Sequence, residues 1–115
     1  MLLPDQISPQ LHGGVVYRDG AVVYILDGEI DIANARLLFQ RLLDLGVSRQ
    51  GDLVLDMDAI TFIDSSGLWA LLGVREELAA LDRRLLIRRT SAAVEQVLEL
   101  LDISWMFGAS EDEAA

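Results

Sequence analysis

The chain has no cysteine and no lysine, a single histidine, only two prolines, and no apolar run of the roughly 18 residues that a membrane span needs. Without cysteine there is no disulfide framework, no thiolate zinc site and no thiol nucleophile. His12 stands alone in a leading segment of proline, glycine and polar residues. Serine–histidine catalysis and histidine metal clusters therefore have little to build on. All nine basic residues are arginine, set against 19 acids for a net charge of -10. Nucleic-acid binding draws most of its affinity from cations neutralising phosphates, so so negative a chain is not expected to bind it directly. Met1–Gln10 has no basic region leading into a long apolar run, so no secretory signal is expected, and the reading is cytoplasmic.

What is present is enough to fold. Hydrophobic residues make up 52% and charged residues 24% of 115 residues, the balance of one small globular domain. A chain of this size buries roughly two-thirds of its unfolded surface, enough for a core without staples. Three acids, Glu111, Asp112 and Glu113, lie among the last five residues, so the body holds nine arginines against sixteen acids.

The expected order of elements is ββαβαβα within a single domain over 1–115: a loose lead-in over 1–12, a core over 13–107 and an acidic tail over 108–115 that frays or aids solubility. Gly13-Gly14 opens into Val15-Val16-Tyr17, Asp19-Gly20 is a hairpin turn signal, and Ala21 to Leu26 is rich in strand formers. Asp31 stands where a helix is capped, and Ala35, Leu38, Leu42 and Leu45 recur at helical spacing over 32–45, with Gly46 as the stop. Asp52 to Met57 predicts a buried strand, continued by Ile60 to Ile63 into a loop. A second helix starts at Asp64-Ser65-Ser66-Gly67, with Leu68, Leu71, Leu72, Leu78 and Leu81 as its stripe. Leu85-Leu86-Ile87 is a last strand, and Thr90 or Ser91 caps a third helix lined by Val94, Val97, Leu98 and Leu101. Strand, helix and strand in succession call for parallel pairing with right-handed crossovers, hence an α/β fold with a mixed sheet packed against helices. Trp105 and Met106-Phe107 either seal the core or offer a homodimer patch.

The most informative stretch is Phe62-Ile63-Asp64-Ser65-Ser66-Gly67-Leu68. One reading is a well-made helix cap, since Asp and Ser accept hydrogen bonds from the free N–H groups of a first turn. The other is a modification site, because a hydroxyl at a helix N-terminus sits in a field and beside backbone donors that favour phosphate. A hydrolase nucleophile elbow wants Gly-x-Ser-x-Gly, and here the first glycine is missing, as is a histidine partner other than His12. Trp69 sits about 100° around the helix from Leu68, and is either an interface anchor near Ser65 or folded against a neighbouring helix. Arg88-Arg89 either pair with a phosphoserine at the same sheet edge or are solvated flanking charges.

These residues resemble the STAS domains, and within them the bacterial anti-sigma factor antagonists. The resemblance rests on Gly28-Glu29-Ile30-Asp31, on Phe62-Ile63-Asp64-Ser65-Ser66-Gly67-Leu68 and on Ser91-Ala92-Ala93-Val94, and covers roughly residues 13–107. It implies a regulator with no enzymatic activity and no cofactor or metal. Unphosphorylated antagonists bind an anti-sigma factor that is also a serine kinase, and so free a sigma factor in stress response. The kinase modifies the first serine of the motif, here Ser65, and a serine phosphatase resets it; Ser66 is implied as a helix cap. Asp31, Asp64, Ser66 and Gly67 are implied at the partner-binding face, and Trp69, by its place on the helix, is expected there with them. The alternative within the same fold is an unmodified scaffold subunit of a lipid-transport or signalling complex. A small enzyme or nucleotide-binding protein lacks support, there being no glycine-rich phosphate loop.

Overall fold

Successive side chains of a strand face opposite sides of a sheet, so the consecutive buried residues Val22 to Tyr24 and Leu53 to Met57 require cover on both faces, and the helical stripes supply the larger share. The computed structural model describes residues 2–48 and 51–103 together with the backbone of Gly108–Ala109. The elements are β1 (Leu3–Ser8), β2 (Leu11–Arg18), β3 (Ala21–Ile30), α1 (Ala35–Ser48), β4 (Leu53–Ile63), α2 (Ser65–Ala79), β5 (Leu85–Thr90), α3 (Ala92–Leu100) and β6 (Gly108–Ala109). They form one six-stranded mixed sheet in chain order, antiparallel from β1 to β3 and parallel from β3 to β6. The expected ββαβαβα series is present as β2 through α3, with β1 added before it and the short β6 after it.

Val22, Tyr24 and Leu26 of β3, Leu53, Leu55 and Met57 of β4, and Leu85 and Ile87 of β5 face one core. Leu38, Leu42 and Leu45 of α1, Leu71, Val74 and Leu78 of α2, and Val94 and Leu98 of α3 close it. All three helices thus cover a single face. The alternate residues Val23, Val54 and Leu86 form a second, smaller cluster with Val16, Ala21 and Ile25.

Four local expectations are corrected. The lead-in is not loose: β1 pairs antiparallel with β2 from Leu3↔Val15 to Gln6↔His12, and as an edge strand it tolerates Pro4. It is fastened from below, because the fully buried Tyr24 donates its hydroxyl to Asp5 Oδ2 at 2.8 Å and the Arg41 guanidinium bonds the same oxygen. Burial, and then the bond to the Asp5 carboxylate, hold the Tyr24 hydroxyl well above its ordinary pKa. Helix α1 begins at Ala35, not Ile32, since residues 31–34 close a hydrogen-bonded turn first. Gly46 does not stop it. A Cβ there would stand 2.6 Å from Leu78 Cδ2, so the glycine lets α1 lie close against α2, and Arg83 donates to its carbonyl at 2.8 Å. Lastly, Ile60 to Ile63 continue β4 as strand, paired to the end of β3. Trp105, Met106-Phe107 and the acidic residues 110–115 lie outside the described residues, and of Gly108–Ala109 only the backbone is described.

Arg88 and Arg89 share one partner through a register shift. Leu55 pairs with Ile87 but Asp56 with Arg89, so Arg88 is the extra residue of a β-bulge and both arginines oppose Asp56. Arg88 Nη2 lies 2.9 Å and Arg89 Nε 3.1 Å from Asp56 Oδ2. Asp56 is 1% exposed. Burial by itself would raise its pKa, but the bonds from Arg89 and Arg88 and from the Asp58 N–H outweigh that and hold the carboxyl below its ordinary value.

A carboxylate whose folded pKa is depressed adds stability above its unfolded value near 3.9, and that stability is lost as pH falls through the folded value. The urea stability of the wild type is therefore expected to exceed that of Asp56→Asn fully above about pH 5, with the gap closing below about pH 4. Asp56→Ala, which removes the buried carboxylate shared by Arg88 and Arg89, is expected to cost about 3 kcal/mol at neutral pH by the same measurement. Gly28 has φ +122° and a Cβ position 2.0 Å from the Gln10 carbonyl oxygen. Gly28→Ala is expected to lose about 2 kcal/mol or more, read as a lower urea midpoint.

Candidate functional site

The parallel strands β3 and β4 finish level, with Ile30 paired to Ile63. The Asp64 N–H donates to the Ile30 carbonyl at 3.2 Å, so the turn after β3 and the first turn of α2 lie side by side at the C-terminal ends of the two central strands. Gly67 makes this closeness possible. A Cβ there would fall 2.5 Å from Ile30 Cγ2 and 2.9 Å from Ile63 Cγ1, and the helix would have to lift. The motif glycine is thus a packing requirement that seats α2 on the strand ends.

Capping falls to Asp64. It is extended at φ -108°, ψ -174°, and its Oδ1 accepts from the Gly67 N–H at 3.1 Å. Ser66, implied as the cap, is instead inside the first turn and half-buried, because an N-cap must precede the helical residues. Ser65, the first residue of α2, is exposed. Four residues on, one helical turn below it, Trp69 is 71% exposed and is not folded onto a neighbouring helix. Asp31 organises the adjoining turn. Its side chain accepts from the Ala33 N–H at 2.9 Å and its carbonyl accepts from the N–H groups of Asn34 and Ala35. Ile32, at the tip of that turn, is 81% exposed, and Phe62, paired with Glu29 near the end of β4, is 47% exposed.

The structure therefore brings Asp31, Asp64, Ser65, Ser66, Gly67 and Trp69 onto two adjoining segments, the turn after β3 and the first turns of α2. Arg88 and Arg89 are not brought there. Both are engaged with Asp56, eight residues before Asp64, which is on the order of 25 Å of extended chain away. Sequence reasoning also passed over Ile32, whose exposure follows from the helix starting a turn late, and Asn34, which is completely buried. Among the described residues no group of histidine, cysteine and carboxylate side chains could hold a metal ion, and no helix is long and apolar enough to cross a membrane.

Comparison with known proteins agrees with this geometry. No curated protein matches the chain in sequence. In structure, an anti-sigma factor antagonist from Mycobacterium paratuberculosis superposes with a TM-score of 0.77 at 25% identity, over 90% of this chain and 89% of that one. The unphosphorylated form of the anti-sigma factor antagonist SpoIIAA has a TM-score of 0.72 at 22% identity, over 89% of this chain and 91% of its own. The phosphorylated form of SpoIIAA, a Bacillus cell fate determinant, has a TM-score of 0.66 at 21% identity, over 89% and 95%. The last two likenesses are of fold. In sequence, residues 14–114 match the STAS domain, almost the whole described structure apart from β1 and the start of β2. The chain belongs to the STAS domain family, and its fold is that of the family's anti-sigma factor antagonists.

Proposed function

We propose that this protein is an anti-sigma factor antagonist switched at Ser65. In its unmodified state the edge formed by the Asp31–Ile32 turn and the first turns of α2 docks on an anti-sigma factor that is also a serine kinase, and so frees a sigma factor in the cytoplasm. That kinase phosphorylates Ser65, the complex weakens, and a serine phosphatase restores it. The observation that carries this reading is the exposure of Ser65 at the head of α2, with exposed Trp69 one turn below and exposed Ile32 on the adjoining turn. A hydroxyl that must enter a kinase site has to be uncovered, and aromatic side chains next to it supply contact energy at an interface.

The switch follows from charge without refolding. A phosphate adds about -1.5 to -2 charges, three acceptor oxygens and a shell of water at a point already flanked by Asp64 and Asp31. The isolated domain accommodates it, because the N-terminus of α2 favours an anion. A docked partner does not, since covering the phosphate strips its water beside two carboxylates. Each 1.4 kcal/mol so lost lowers the affinity tenfold.

Incubation with the candidate anti-sigma kinase and ATP is expected to add one phosphate to the wild type and none to Ser65→Ala, read by intact mass. The modified protein is expected to bind that kinase at least tenfold more weakly. If no serine kinase of this class binds or modifies the wild type, the antagonist reading fails and an unmodified scaffold takes its place. Trp69→Ala is expected to weaken binding of the unmodified protein about thirtyfold, on the order of 2 kcal/mol, with an unchanged urea midpoint, measured by calorimetry.

A further inference from the structure

Among the described residues only two polar side chains are buried with their residues, Asp56 and Asn34. Two arginines account for Asp56. Asn34, 0% exposed, is bonded on three sides. Its Oδ1 accepts from the Asp31 N–H at 3.0 Å, and its Nδ2 donates to the Glu29 carbonyl at 2.9 Å and to Ser8 Oγ at 3.1 Å. These bonds reach the last residues of β3, the turn that carries Asp31 and Ile32, and the end of β1. An asparagine amide offers two donors and an acceptor oxygen, which fits this set of partners as a carboxylate or an aliphatic side chain cannot.

We infer that Asn34 is a positioning residue of the docking edge: it locks the Asp31–Ile32 turn between β3 and β1, so that Ile32 stands out at a fixed place beside Ser65. This rests on the proposed docking of a kinase at that edge. The turn's other ties are the Asp31 carboxylate to the Ala33 N–H, two backbone bonds to the Asp31 carbonyl and the Leu38 N–H to the Asn34 carbonyl. They shape the turn and lead it into α1, but none of them reaches β1. Asn34 supplies the attachment to β1, and β1 is itself fastened at its other end by Asp5 to Tyr24 and Arg41. Ser65 depends on none of this. Its place is set by Asp64, Gly67 and the ends of β3 and β4. Loss of Asn34 should therefore loosen one half of the docking edge and leave the phosphate acceptor where it is.

That separation makes the test specific. In Asn34→Ala, amide exchange of Asp31 and Ala33 is expected to rise about tenfold relative to the amides of β4, from the loss of about one net hydrogen bond. With the anti-sigma kinase, KM for phosphorylation of Ser65 is expected to rise about tenfold with kcat within twofold, under conditions where circular dichroism shows both proteins folded. Ser8→Ala, which removes only the outer anchor, is expected to change both readings in the same direction by about threefold, and serves if Asn34→Ala does not fold. Unchanged exchange at Asp31 and Ala33 would overturn the inference, as would a loosened turn with an unchanged KM, or a fall in kcat as large as the rise in KM. A wild type that no such kinase modifies would instead sink the antagonist reading, while the exchange comparison still decides whether Asn34 holds the turn.

Discussion

The level finish of β3 and β4 is the constraint on which the rest of the molecule depends. Ile30 opposite Ile63, with the Asp64 N–H on the Ile30 carbonyl, brings two chain reversals to one place and starts α2 directly over the strand ends. Gly67 admits the helix to that position and Asp64 closes its first turn. Every feature assigned to the partner-facing edge follows. Ser65 is exposed at the head of α2, Trp69 follows it by one turn onto the same side, and Ile32 is carried outward by the neighbouring turn.

Charge and apolar surface divide the work at this edge. Uncovered Ile32 and Trp69 offer area to remove from water, which rewards association without specifying direction. In the proposed switch, a phosphate on Ser65 would add like charge beside Asp64 and the neighbouring Asp31 turn, and a docked partner would have to cover it. Arg88 and Arg89 are not at hand to balance it, since both are bonded to Asp56 in the body of the sheet.

Much of this was legible in the sequence, for physical reasons that differ by element. The second helix and its cap could be read because Asp64, the serines and Gly67 act within one turn of chain. The parallel order could be read because a strand, a helix and a strand leave few topologies. Strand β1 could not, because an edge strand needs little apolar alternation and carries Pro4, while its fastening to Tyr24 joins residues 19 positions apart. Gly46 looked like a helix stop and is a helix contact, a distinction that depends on Leu78 arriving from another element. The pairing of Arg88 and Arg89 with one aspartate needed a register shift that no periodicity announces. Asn34 was silent in the sequence because a buried amide and a surface amide are spelled alike.

The central claim is that a preformed edge is switched by charge at Ser65 and not by a change of fold. The most direct test is a pair of amide NMR spectra of the protein with serine and with genetically encoded phosphoserine at position 65. The account requires chemical-shift changes confined to residues 30–35 and 62–70, with the resonances of β5 and α3 in place. Shifts spreading through β5 and α3 would contradict it, because the phosphate would then act by rearranging the domain.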